Sequence, residues 1–121
     1  MTIHQKAKVS HATLGYLFPT LAVDAKGNIG IAATGGSSTT APSIYLFTHR
    51  AGDAPGTING PLLGHAGTHS YSCKNDPVGW GTYSATVQDA SDATKLWTLQ
   101  EYAGSETPCV WKTRVLGFQI R

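Results

Sequence analysis

The sequence predicts an all-β fold built from short antiparallel strands, and three observations point there. No stretch sustains apolar residues at i, i+3 and i+4, so helical periodicity is missing. Fourteen glycines and six prolines break the 121-residue chain at short intervals. Between the breaks recur brief runs of β-branched and aromatic residues, the composition that fits a pleated surface.

The elements follow in chain order. Residues 5–14, QKAKVSHATL, are expected to form a first strand. TLAVD (20–24) and IGIAAT (29–34) are joined by AKGN, where Gly27 and Asn28 tolerate the positive φ of a hairpin turn. SIYLFTHR (43–50) follows GGSSTTAP, which reads as a flexible loop. That loop precedes a strand rather than a helix, so it makes no phosphate cradle. A fourth strand is expected near GPLLGHA (60–66). After the loop CKNDPVGWG come TYSATVQD (82–89), LWTLQEYA (96–103) and VWKTRVLGFQI (110–120). About eight strands at such spacing suit a sandwich, a barrel or a propeller.

Two features favour β-propeller blades, with a β-sandwich as the alternative. Strands carry bulk on both faces: Ile44 and Leu46 oppose Tyr45 and Phe47, and Trp97 and Leu99 oppose Leu96 and Tyr102. Sheets buried on both sides have this look. There is also an internal echo, since PTLAVDAKGNIGIAAT and YSATVQDASDATKLWTLQ share the order strand, Asp, turn, strand. The expected layout is a strand or arm over 1–15, blade one over 16–68 and blade two over 69–121. Two four-stranded blades do not close a ring. A homo-oligomer is therefore expected, its copies supplying successive blades and strand 5–14 completing the second.

Nine Lys and Arg against seven Asp and Glu leave a formal charge of +2. The excess is scattered, so no nucleic-acid partner is expected. No run approaches the roughly 20 apolar residues of a membrane span, and none is expected. The start, MTIHQKAKVSHATLG, lacks the apolar centre of a signal peptide. Cys73 and Cys109 cannot make a zinc site by themselves. A disulfide between them would stabilise the fold by about 3–4 kcal/mol on the loop-entropy account. Paired and free states both stay open, because sequence gives no distance.

The segment DASDATKLWTLQEYA concentrates the carboxylates Asp89, Asp92 and Glu101. In a turn, Asp and Ser cap their own backbone amides. Glu101 alternates with Trp97 and Leu99, and a buried carboxylate on that face needs a partner, for which Arg114 is expected. The sharper reading makes Glu101, Asp89 and Asp92 acid/base candidates, since glycoside cleavage uses two carboxyls about 5–10 Å apart. Trp80 lies in the loop PVGWG, where an indole can stack on a sugar ring. Tyr83, Arg114 and Arg50 join it as ligand-binding candidates. His65 and His69 are metal-ligand candidates by spacing, against a reading as solvated loop histidines. No cofactor is implied. No GxSxG motif is present.

The runs YLFPTLAVDAKGNIGI, PSIYLFTHRAGDAPG, GWGTYSATVQDASDATKLWTLQEYA and WKTRVLGF resemble the last blades of large bacterial β-propeller proteins, a group mostly without assigned activity. The matching positions are Trp80, Gly81, Tyr83, Ser84, Asp89, Trp97, Glu101, Tyr102, Trp111, Thr113 and Arg114. The pattern departs at Thr82, where the group usually has Asp, and at Ala90, where it usually has Pro. Sialidase-type propellers are similar only distantly, because SDATKLW lacks the glycine of their Asp-box turn. The resemblance implies a propeller fold and an extracellular or periplasmic setting. Three functions follow as expectations: a carbohydrate-binding, lectin-like module; a glycan-active hydrolase; or a structural fragment of a larger propeller.

Overall fold

A computed structural model describes residues 1–73, 80 and 83–121 of the chain. Gly81 and Thr82 of the resemblance motif, and the expected start of a strand at 82, lie outside the described residues. The described residues contain seven strands and no helix. A four-stranded antiparallel meander, sheet A, runs β1 (Gly15–Val23), β2 (Ile29–Gly36), β3 (Ser43–His49) and β4 (Asn59–His65). A three-stranded meander, sheet B, runs β5 (Ala85–Gln88), β6 (Lys95–Tyr102) and β7 (Lys112–Gln119).

Proline decides which strands of sheet A sit at its edges. Pro19 in β1 and Pro61 in β4 lack an amide to give to a ladder, and both strands are outermost. The β1–β2 register shifts between Leu17 and Thr20, around Pro19, and Phe18 takes a φ of 53° there. Central β2 and β3 contain no proline and pair without interruption from Ile29↔His49 to Gly35↔Ser43. Hairpin turns are closed by aspartate. Asp24 Oδ1 accepts from the amides of Lys26 and Asn28, and Gly27 sits at φ 83° in the turn. Asn28 donates its side-chain amide to Asp24 Oδ2 and accepts from the amide of Ala51, tying this turn to the β3–β4 loop.

The core lies between the sheets. From sheet A, β2 offers the small residues Gly30, Ala32 and Thr34; from sheet B, β6 offers Leu96, Thr98 and Gln100, all buried. Leu96 and Phe118 press against the bare α-carbon of Gly30, where a Cβ would stand 2.6 Å and 2.8 Å from their carbons. Beside this apolar contact runs a line of hydrogen bonds. Gln100 donates to Thr20 Oγ1, which lies 2.7 Å from Thr86 Oγ1; Thr86 donates to Thr98, and Thr98 to the carbonyl of Ala85. Thr34 adds a bond to the Glu101 carbonyl. Gln100 Oε1 is buried without a hydrogen-bond partner among the described residues.

Contacts between the sheets keep chain order and direction. Ser84 donates to the Phe18 carbonyl, Thr20 meets Thr86, and the amide of Ala25 donates to the Ala93 carbonyl. β1 thus lies along β5 running the same way, and β2 lies along β6.

Two expectations are corrected. Residues 5–14 form no strand, so sheet B keeps three strands and the described strands number seven. Lys6 and Lys8 are exposed, and the segment's contact is with the outer side of sheet A, where Gln5 accepts from the amide of Gly56. Nor does Arg114 face Glu101. The β6–β7 register sets Arg114 opposite Gln100 and Thr113 opposite Glu101. Because side chains alternate across a sheet, Arg114 and Glu101 point to opposite faces.

Candidate functional site

A meander alternates its connections between two ends. The β1–β2, β3–β4 and β5–β6 turns share one end; the β2–β3 loop, the segment after β4 and the β6–β7 loop share the other. The acidic turn belongs to the first end and is closed upon itself. Asp89 Oδ1 accepts from the Ser91 amide and hydroxyl and from the Asp92 amide, while Oδ2 accepts from the indole NH of Trp97. That indole, then Ser91 and the backbone amides, hold the Asp89 carboxyl far below the usual carboxylate range. Asp92 accepts from the Thr94 hydroxyl and amide and from Gln119, and the Thr94 bonds lower its pKa as well.

Glu101 sits six residues along β6 from Lys95, which adjoins this turn. At about 3.4 Å per residue that is roughly 20 Å, beyond the 5–10 Å separation of a glycosidase pair. Glu101 is 2% exposed. The three carboxylates are therefore not assembled into one centre. Arg50 also lies at the acidic-turn end, where its Nε donates to the Arg121 carbonyl and its amide to Asp53. Tyr83 is exposed ahead of β5, and Arg114 is exposed on β7.

Trp80 stands at the opposite end, in company. Its ring meets Tyr71 edge-on at 4.5 Å, and Trp111 lies 6.3 Å from Trp80 and 6.4 Å from Tyr71. Cys73 and Cys109, two residues after Tyr71 and two before Trp111, are joined in a disulfide with their α-carbons 4.7 Å apart. The Trp80 indole NH is buried and has no hydrogen-bond partner among the described residues.

Beside the aromatics opens a cleft of about 450 Å³, between the β2–β3 loop and the segment after β4. One wall is Ser37–Pro42, shaped by the Ser37 hydroxyl, which accepts from the amides of Thr39 and Thr40. The other wall is Thr68–Tyr71, held by amide bonds from Thr68 and His69 to the Ala103 carbonyl. Ala103 in turn donates to the Pro42 carbonyl, and Ser43 accepts from the Gly67 amide, so the walls are cross-braced. A second cavity of about 330 Å³ shares Ser37, Pro42 and Tyr71 and runs on to Trp80 and Leu17. Together they make a hydroxyl-lined groove ending in an apolar, aromatic pocket. Among the described residues, neither lining contains Lys, Arg, Asp or Glu.

His69 borders the groove, its Nδ1 within 2.8 Å of the Thr68 hydroxyl and its Nε2 3.2 Å from Glu106. His65 instead packs edge-on against Tyr102 at 4.4 Å. The two imidazoles take different partners, and no group of three potential metal ligands occurs among the described residues. Sequence reasoning singled out Trp80 but passed over Ser37, Ser38, Thr40, Thr68, Ser70 and Tyr71. The available signal was two hydroxyl clusters, SSTT and THSYS, each next to a strand end. No protein-family model, curated protein or solved structure matches the chain.

Proposed function

We propose that this chain is a carbohydrate-binding module, made of propeller-type blades, that takes a neutral sugar in the groove beside Trp80. The groove's make-up carries the reading. A sugar ring presents an apolar C–H face and a rim of hydroxyls. Tyr71 and Trp80 offer aromatic surface at one end, and Ser37, Ser38, Thr39, Thr40, Thr68 and Ser70 offer small donors and acceptors along the other. Absence of Lys, Arg, Asp and Glu from the described lining suits an uncharged ligand. Two sheets stacked in chain order and direction, together with the resemblance of the Trp80–Arg114 region, support the blade reading.

Hydrolysis finds less support here, since Glu101 lies about 20 Å along the strand from the aspartate turn and neither aspartate lines the groove. A glycan array probed with the intact chain tests the proposal. Binding to neutral glycans is expected, lost in Tyr71→Ala and Trp80→Ala and weakened in Thr39→Ala. The last substitution lies in an exposed loop and leaves the fold unchanged, which circular dichroism verifies. Binding that persists undiminished in all three variants refutes it.

A further inference from the structure

Both sheets have a second face, turned away from the core, and each second face carries an apolar patch. On sheet B the register aligns Val87, Trp97 and Gly117 across three strands, and Ala85, Leu99 and Val115 beside them. Val87 is 55% exposed and Val115 57%. Trp97 lies flat here: its indole NH is tied down to Asp89, its ring covers Gly117, and Lys95 Nζ sits 4.4 Å from the ring centre. On sheet A, Leu21 pairs with Ile31 and Val23 with Ile29. Leu21 is 61% exposed, with the arm residues Gln5–Ala7 bordering the face.

The total surface is larger than a compact chain of this mass requires. A compact monomer of 12.8 kDa is expected to expose about 6,300 Å², whereas the chain exposes 7543 Å². The surplus is about 1,200 Å², with the arm over residues 1–14 almost wholly exposed and Val87, Val115 and Leu21 more than half exposed, and it matches the lower bound of a stable specific interface. What would cover it is indicated inside the chain. Sheet B stacks on sheet A with strand order and direction kept, a relation that repeats when applied once more. The next sheet in that series presents an A-type outer face to the B-type outer face.

We propose that the outer face of sheet B docks onto the outer face of sheet A in a second copy of this chain, head to tail. Such an interface is heterologous, so each copy keeps one B face and one A face open until the series closes into a ring or extends. This is independent of what the groove binds.

The test is light scattering over a concentration series with the intact chain and two face variants. Wild type is expected to assemble. Val115→Asp disables the B face and Leu21→Asp the A face, so each alone is monomeric. Mixed in equal amounts they form a dimer and nothing larger, because one live face of each kind remains. An isologous dimer gives a different pattern: one variant alone still pairs as wild type does. That pattern, a monomeric wild type, or a mixture that stays monomeric overturns the proposal. Should an aspartate variant lose its circular dichroism spectrum, Val115→Thr and Leu21→Thr replace the pair, with assembly weakened about tenfold, or roughly 1.4 kcal/mol. Undiminished assembly in both is then the refuting result.

Discussion

Gly30 is the place to press the core. Placing a methyl there sets a carbon 2.6 Å from Leu96 Cδ1 and 2.8 and 2.9 Å from two carbons of Phe118, where apolar carbons settle at about 3.5–4.0 Å. Leu96 is fully buried and has nowhere to retreat. Overpacking of this kind costs about 1–3 kcal/mol. The reduced freedom of the unfolded chain on Gly→Ala returns about 0.4–1 kcal/mol, leaving Gly30→Ala destabilised by up to about 2.6 kcal/mol. Leu96→Ala deletes a wholly enclosed side chain and costs about 3–4 kcal/mol. The informative variant combines them. With Leu96 truncated the shortest clash is gone, and the added methyl refills part of the cavity, while the Phe118 contact remains. The double variant should be more stable than the sum of the singles by about 1 kcal/mol or more. Urea unfolding at constant m-value measures all three. Additivity within about 0.5 kcal/mol would show that Leu96 and Gly30 do not share that space, and the packing of the two sheets described above would be wrong.

Three further outcomes are expected. Thr98→Val keeps the volume of a buried side chain but removes the hydroxyl that accepts from Thr86 and donates to the Ala85 carbonyl, so unfolding free energy should fall by about 1–3 kcal/mol; an unchanged urea midpoint counts against this part of the hydroxyl row. Stability should decline with acid, because the carboxyls of Asp89, Asp92, Asp24 and Asp53 titrate lower in the folded chain than in the unfolded one. Their contribution is full above the unfolded pKa of about 4 and disappears as the pH falls through the folded values. Asp89→Asn should make the urea midpoint less sensitive to pH below about 5, and an unaltered slope refutes this assignment. Cys73→Ser with Cys109→Ser should cost about 3–4 kcal/mol through the freed loop of the unfolded chain, read by thermal melting; a change under about 1 kcal/mol removes the disulfide from the account of stability.

Local chemistry was the legible part of this molecule. Strand cores from 29–34, 43–49 and 96–102 followed from composition, and the aspartate turns followed from Asx chemistry that depends on neighbours two or three residues away. Register was not legible. A shift of one residue moves a side chain to the other face, and that single step separated Arg114 from Glu101. β1 begins earlier than TLAVD suggested because Pro19 interrupts the ladder without ending the strand. The segment 5–14 alternates like a strand, yet no free sheet edge takes it up. The groove escaped notice for a related reason. Its walls come from residues 37–42 and 68–71, and only the cross-bracing through Ala103 and Ser43 brings them together.

The row of hydroxyls between the sheets has one polarity. A carbonyl only accepts, so the Thr98 proton must point at Ala85; that obliges Thr86 to point at Thr98, Thr20 at Thr86, and the Gln100 amide to present its nitrogen to Thr20. Each rotor is thereby fixed by the one after it, and sliding one leaf along the other by a single residue would break both links that cross, Thr20 to Thr86 and Gln100 to Thr20. The pitch between leaves is consequently a stepped quantity rather than an adjustable one, as in a keyed shaft, and any further copy stacked by the same rule would inherit that angle.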